Sequence, residues 1–203
     1  MKRRDLIAAV ATLGFSTKAF GAIPLDAALG PALRSGGLVL VMRHAHAPHE
    51  APEPAARDPQ NLAGERQLDA AGKDEARTIA EGMRRARVPV AAVLASPTFR
   101  ARQTAQIAGL TPFETAEPLG DHGASMQNAD LDQSAWLRAQ AAKSPKPGGN
   151  TVIITHMPNI VAAFGAEMRD VEDGEMLVFR PDGTKAAKLI GRIRLQDWKQ
   201  LAE

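Results

Sequence analysis

Three unbroken apolar runs punctuate a polar background: LVLVM from Leu38, VPVAAVLA from Val88 and TVII from Thr151. Short runs without polar alternation suit strands covered on both faces. Gly36-Gly37 lead into the first run and SPKPGGN into the third, both turn signals. Between the runs the period changes. Asp69 caps a predicted helix in which Ala76, Ile79, Ala80 and Met83 recur at helical spacing. Ser96-Pro97 predict a second helix start, with serine as cap and proline at the first position. A third helix, capped by Asp130 or Asp132, turns Trp136, Leu137 and Ala141 inward, and a fourth starts at Pro158 or Asn159. The segment EMLVFRPDGTKAAKLIGRIRL reads as a hairpin closed by Pro181-Asp182-Gly183. Residues 45–68 hold Pro48, Pro52, Pro54 and Pro59 and read as a long loop, a length that in a compact domain is usually functional or disordered. Strands alternating with helices predict an α/β chain, a three-layer α/β/α sandwich with a mostly parallel central sheet.

Length and composition refine this. At 203 residues and 44% hydrophobic, the chain is sized for one core. Its start, MKRRDLIAAVATLGFSTKAFGA, has a basic opening, a short apolar middle and a small-residue ending, which is the layout of a secretory signal over residues 1–21. Arg3-Arg4 followed by Leu6-Ile7 fits the twin-arginine form of such a signal. Gly14, Ser16 and Lys18 interrupt the apolar stretch, leaving it short of the ~20 residues a membrane span needs. The expected domain is then residues 22–203, periplasmic or secreted, with no stable membrane insertion after signal removal. The signal holds Lys2, Arg3, Arg4 and Lys18 against Asp5, a net +3, so the formal +2 of the whole chain becomes −1 without it. No basic footprint for nucleic acid remains. Cysteine is absent, which removes thiolate catalysis and thiolate-held zinc.

The chemistry sits where the strands end. Ligands of open α/β sheets bind beyond the carboxyl ends of the strands. Arg43-His44 follow the first apolar run, Ser96 to Arg100 the second, and Thr155-His156 the third. Together they describe one pocket with two arginines and two histidines. Two guanidinium forks can clamp a tetrahedral dianion through paired charge-assisted bonds. An imidazole between them is biased toward its neutral form, and a neutral ring nitrogen is a nucleophile toward phosphorus. The second histidine can stabilise charge on the transferring group. An acid for the leaving oxygen must come from elsewhere, and Glu114, Glu117 and Asp121 are available.

VMRHA, RQLDAAG, SPTFRARQTA and TVIITHMPN, in that order, resemble the motifs of the histidine phosphatase superfamily, in the branch that also holds the phosphoglycerate mutases. The likeness runs through residues 37–165. It implies His44 as the phosphorylated nucleophile, Arg43 and Arg100 as the phosphate clamp, and His156 as the clamp's second histidine. It also implies Asp121 as proton donor, in the place of a family glutamate, with Glu117 in reserve. Ala45 and Met157 stand where the family usually has glycine, and Met157 is placed to narrow the pocket.

The resemblance implies hydrolysis of a small-molecule or glycolipid phosphomonoester through a phosphohistidine, with no cofactor and no metal. Two alternatives stay open on the sequence alone: a phosphate-binding protein with little turnover, and a metal-dependent hydrolase built on the His44-x-His46 pair. Arg66 reads as a loop anchor and Arg102 as an exposed helix residue. His46, His49 and His122 read as surface positions. The oligomeric state is not legible.

Overall fold

The computed structural model describes residues 27–121, 131–182 and 186–201. The signal-like segment, His122, Asp130 and Gly183 lie outside the described residues. In chain order the elements are α1 (Leu29–Ser35), β1 (Val39–Arg43), α2 (Ala70–Arg85), β2 (Val90–Ala95), α3 (Phe99–Ile107) and β3 (Glu114–Thr115). Next come α4 (Leu131–Ala142), β4 (Asn150–Thr155), α5 (Met157–Phe164), β5 (Met176–Pro181), β6 (Ala187–Ile193) and α6 (Trp198–Leu201).

The six strands form one mixed sheet in the order β3-β2-β4-β1-β5-β6. The β3-β2, β2-β4 and β4-β1 pairs are parallel, and β5 and β6 extend the sheet antiparallel from β1. Helices cover both faces, as the alternating pattern predicts. Because successive side chains of a strand point to opposite faces, Leu40 and Met42 of β1 join Val152 and Ile154 of β4 against α1, α2, α3 and α6. Val39, Val41 and Ile153 face the other way, onto α4 and α5. Burial on both faces explains the unbroken apolar runs.

Several boundaries differ from the sequence expectation. The second run is only partly covered: Val90 is 38% exposed, since β2 is flanked on its outer side by the two-residue β3 alone. Helix α3 begins at Phe99 rather than Pro97, with Thr98 at its cap position. Ser96, the expected cap, accepts from Thr98 N at 3.2 Å ahead of the helix and from His156 Nε2 at 2.8 Å. Asp132 lies in the first turn of α4, and α5 starts at Met157, one residue early. Helix α1 has no counterpart in the sequence expectations.

Gly36 and Gly72 are among the glycines pressed against neighbouring backbone. Gly36 has φ +74° and packs against the Gly149 backbone. Gly72, in the first turn of α2, passes so closely beneath the His46 carbonyl that a methyl group there would overlap it. The Asp69 side chain caps the same turn, accepting from Gly72 N at 2.9 Å, a bond worth about 1 kcal/mol.

Candidate active site

Strand register assembles the site. Arg43 of β1 pairs with Thr155 of β4, and Ala95 of β2 with Ile154. The ladder continues one bond further on each side: His44 N donates to Thr155 O (3.0 Å) and Ser96 N to Ile154 O (2.9 Å). His44, Ser96 and His156 therefore emerge side by side from three adjacent parallel strands. From the first turn of α3, Arg100 reaches back over them.

Arg100 is the hub. Its Nε donates to His44 Nε2 at 3.2 Å and its Nη2 to His156 Nδ1 at 3.1 Å. The same Nη2 forms an ion pair with Asp121 Oδ2. The two imidazoles meet edge to face, with centroids 5.1 Å apart. All three basic side chains are buried.

The proton inventory is fixed by partners. A guanidinium only donates and a carbonyl only accepts. His44 Nδ1 lies 2.8 Å from Ala45 O, so it carries the hydrogen, and the Nε2 lone pair faces Arg100. In His156 the roles reverse: Nδ1 accepts from Arg100 and the Nε2 hydrogen goes to Ser96 Oγ at 2.8 Å. Burial first, and the Arg100 and Arg43 charges with it, holds His44 down at about 4, against the bond to Ala45 and the Asp173 charge, which pull upward. Burial, then the neighbouring His44, Arg100, Arg66 and Arg43, keep His156 well below the usual imidazole range. Both rings are neutral near pH 7.

The remaining motif residues hold this arrangement. Thr104 Oγ1 accepts from Ala45 N (3.1 Å) and donates to Arg100 O (2.8 Å), tying α3 to the histidine loop. Gln103 Oε1 accepts from Leu68 N, and Glu65 Oε2 accepts from Phe99 N at the start of α3. Asn159 Nδ2 donates to the carbonyls of Leu119 and Gly120 at 3.1 and 2.9 Å, which brings Asp121 to the cleft.

The structure thus brings His44, Arg100, His156 and Asp121 into direct contact. Arg43 adjoins them but points differently: Nη1 donates to Val171 O at 2.8 Å and Nη2 lies 2.7 Å from Asp173 Oδ1. Glu117 is exposed, outside this contact set. Arg66 anchors the loop, donating to the Pro48 and Ala47 carbonyls. Arg102 is half-buried over the Phe99 ring rather than exposed. Met157, half-buried, packs against the α4–α5 layer.

His49 is exposed, whereas His46 is not a free surface residue: its Nδ1 donates to Asp173 at 3.0 Å. The His44 and His46 rings face different partners, and among the described residues no group of three or more His, Asp or Glu is arranged to hold a metal ion. Asp173 is the residue that sequence reasoning missed. No sequence signal marks it: the Glu-Asp-Gly turn reaches the site only because β5 pairs antiparallel beside β1 and begins where β1 ends.

The sequence model of the histidine phosphatase superfamily (branch 1) matches residues 39–151. No curated protein matches. Among solved structures, the protein histidine phosphatase SixA complexed with tungstate is 21% identical, with a TM-score of 0.59 over 79% of this chain and 98% of its own. A phosphoserine phosphatase variant from Entamoeba histolytica in complex with phosphoserine is 14% identical, TM-score 0.50, over 78% and 98%. A mycobacterial glucosyl-3-phosphoglycerate phosphatase is also 14% identical, TM-score 0.50, over 76% and 97%. At these identities the likeness concerns the fold.

Proposed function

Since this chain belongs to the histidine phosphatase superfamily, branch 1, we propose that it hydrolyses a phosphomonoester through a phosphohistidine on His44. The observation that carries this is the tautomer of His44. Its Nε2 lone pair accepts from a buried guanidinium while Nδ1–H is locked on Ala45 O. A nucleophile needs that lone pair, and a phosphoryl group needs that positive charge beside it.

Arg100 and Arg43 take the non-bridging oxygens, with His156 beside them. The His44 Nε2 lone pair forms the N–P bond as the P–O bond to the leaving alkoxide breaks. The Asp121 carboxyl, protonated once it has left Arg100, supplies the proton to that oxygen, with Glu117 in reserve. Water then attacks phosphorus, giving a proton back to the Asp121 carboxylate as the N–P bond breaks, and inorganic phosphate leaves with His44 neutral again. The incoming dianion competes with Asp121 for Arg100 Nη2, which releases the carboxyl at the cleft edge. Tungstate in the SixA structure of the same fold is consistent with a tetrahedral oxyanion here.

A small-molecule or glycolipid phosphomonoester, such as a sugar phosphate, is the substrate class that fits an exported enzyme. What supports export is the layout of residues 1–21. Cell fractionation and N-terminal sequencing of the mature protein test it, and a cytoplasmic, full-length product would remove it.

An aryl-phosphate assay with quench-flow trapping of acid-labile phosphoenzyme tests the mechanism. Turnover without any phosphohistidine, or turnover abolished by a chelator, would count against it. Tight phosphate binding without turnover would favour a binding protein.

A further inference from the structure

Asp173 stands between two cationic side chains beside the cleft. Its Oδ1 lies 2.7 Å from Arg43 Nη2, and its Oδ2 accepts from His46 Nδ1 at 3.0 Å. The loop that carries it is tied to the end of β1: Gly174 N is shared between the Arg43 and His44 carbonyls, both at 3.2 Å. Arg43 Nη1 is held by Val171 O, so the guanidinium is gripped at both ends. Its Nε–H is nonetheless buried with no partner, and the Asp173 contact is a charge pair without hydrogen-bond alignment. A buried donor without an acceptor is costly, and an anion that reaches the Arg43 Nε–H would remove that cost.

We propose that Asp173, braced by His46, is a positioning residue that aims Arg43 at the phosphate of the substrate. This rests on the reading that the cleft takes a tetrahedral dianion.

The charge balance explains why a carboxylate belongs there. Alone beside Arg43 it would cancel the charge that attracts the substrate. His46 restores it. The charged groups facing its imidazole are Asp173 from the loop before β5, Asp69 at the cap of α2 (3.6 Å from Nε2), and Glu75 of α2, which accepts from His46 N at 2.7 Å. The bond to Asp173, then the surrounding carboxylates, raise the imidazole above its ordinary value. With His46 protonated, the His46–Asp173–Arg43 trio carries +1; with His46 neutral, it carries zero. Anion affinity therefore falls as pH rises through the His46 titration.

Sulfate separates this from substrate ionisation, because it stays a dianion throughout the range used. Calorimetry of sulfate binding between about pH 5.5 and 8.5 gives two readouts. The sign for Asp173→Asn decides the first. Removing a negative charge should tighten anion binding on electrostatic grounds alone, whereas loss of positioning weakens it, by about ten-fold. The second is the pH profile: the wild type binds sulfate more weakly as pH rises, and His46→Gln is flat. Near-UV circular dichroism checks that each variant is folded, and His46→Gln decides the matter by itself if Asp173→Asn is not. Tighter or unchanged sulfate binding in folded Asp173→Asn, or a wild-type pH profile in His46→Gln, overturns the proposal. Sulfate binding needs no turnover, so an inactive protein showing this pattern would refute the hydrolase reading and still support the role of Asp173.

Discussion

His44 and His46 are separated by one alanine, yet the fold gives them opposite electrical characters. His44 is taken into the core beside two arginines, and burial with positive neighbours holds it at about 4. His46 stays half-exposed among three carboxylates, which lift it. The chain leaves β1 at Arg43, so the strand rule that would put positions two apart on one face no longer holds: His44 turns under α3 and His46 out toward the α2 cap. Local sequence does not set an imidazole's charge. Its surroundings, drawn from elements far along the chain, do.

The sharpest way to break this contrast is His44→Ala. It should cut phosphatase turnover by roughly 10⁴- to 10⁶-fold while the circular dichroism spectrum is retained. Near-normal rates would remove His44 as nucleophile. Asp121→Asn should lower turnover of an alkyl phosphate about 10²- to 10⁴-fold, with a much smaller loss for an activated aryl ester. If Glu117→Gln behaves that way instead, the donor role moves there. Arg100→Lys keeps the charge but loses the fork that serves both imidazoles, and a loss of about 10²- to 10³-fold in kcat is expected.

Stability against pH probes the contrast without any substrate. His44 binds its proton more weakly folded than unfolded, so between about pH 4 and the unfolded value near 6.5 the unfolded chain holds more protons. Stability then rises with pH across that window and is lost on acidification, by roughly 3 kcal/mol for this group in full. His156 acts in the same direction. Denaturant melts at several pH values should show a shallower slope for His44→Asn. His46 has the opposite sign: its contribution is present below the unfolded value and fades as pH rises through the raised one. It is the smallest effect, within about 1 kcal/mol for so exposed a pair, and His46→Gln should remove it.

Much of this was legible before any coordinates. The doubly buried β1 and β4 announced themselves as unbroken apolar runs, and the polar residues that come after them do converge. The motif residues Gln103 and Thr104 proved to be braces whose partners, Leu68 and Ala45, lie elsewhere in the chain. What escaped depended on tertiary pairing. Ser96 looks like a helix cap because serine before proline caps helices locally, but the fold offers it His156. Asp173 carries no local signature, since its meaning comes only from β5 lying beside β1. Arg43 fits a phosphate clamp by its place in the motif, while its resting partners, Val171 and Asp173, come from beyond residue 170.

The close passage of Gly72 under the His46 carbonyl links two properties that protein engineers usually tune apart. Glycine-to-alanine changes in helices are a common route to thermostability, worth up to about 1 kcal/mol. At this position the added methyl would push on the segment bearing both histidines, so a gain in helix propensity would be taken out of cleft geometry. Any attempt to harden α2 has to begin beyond its first turn.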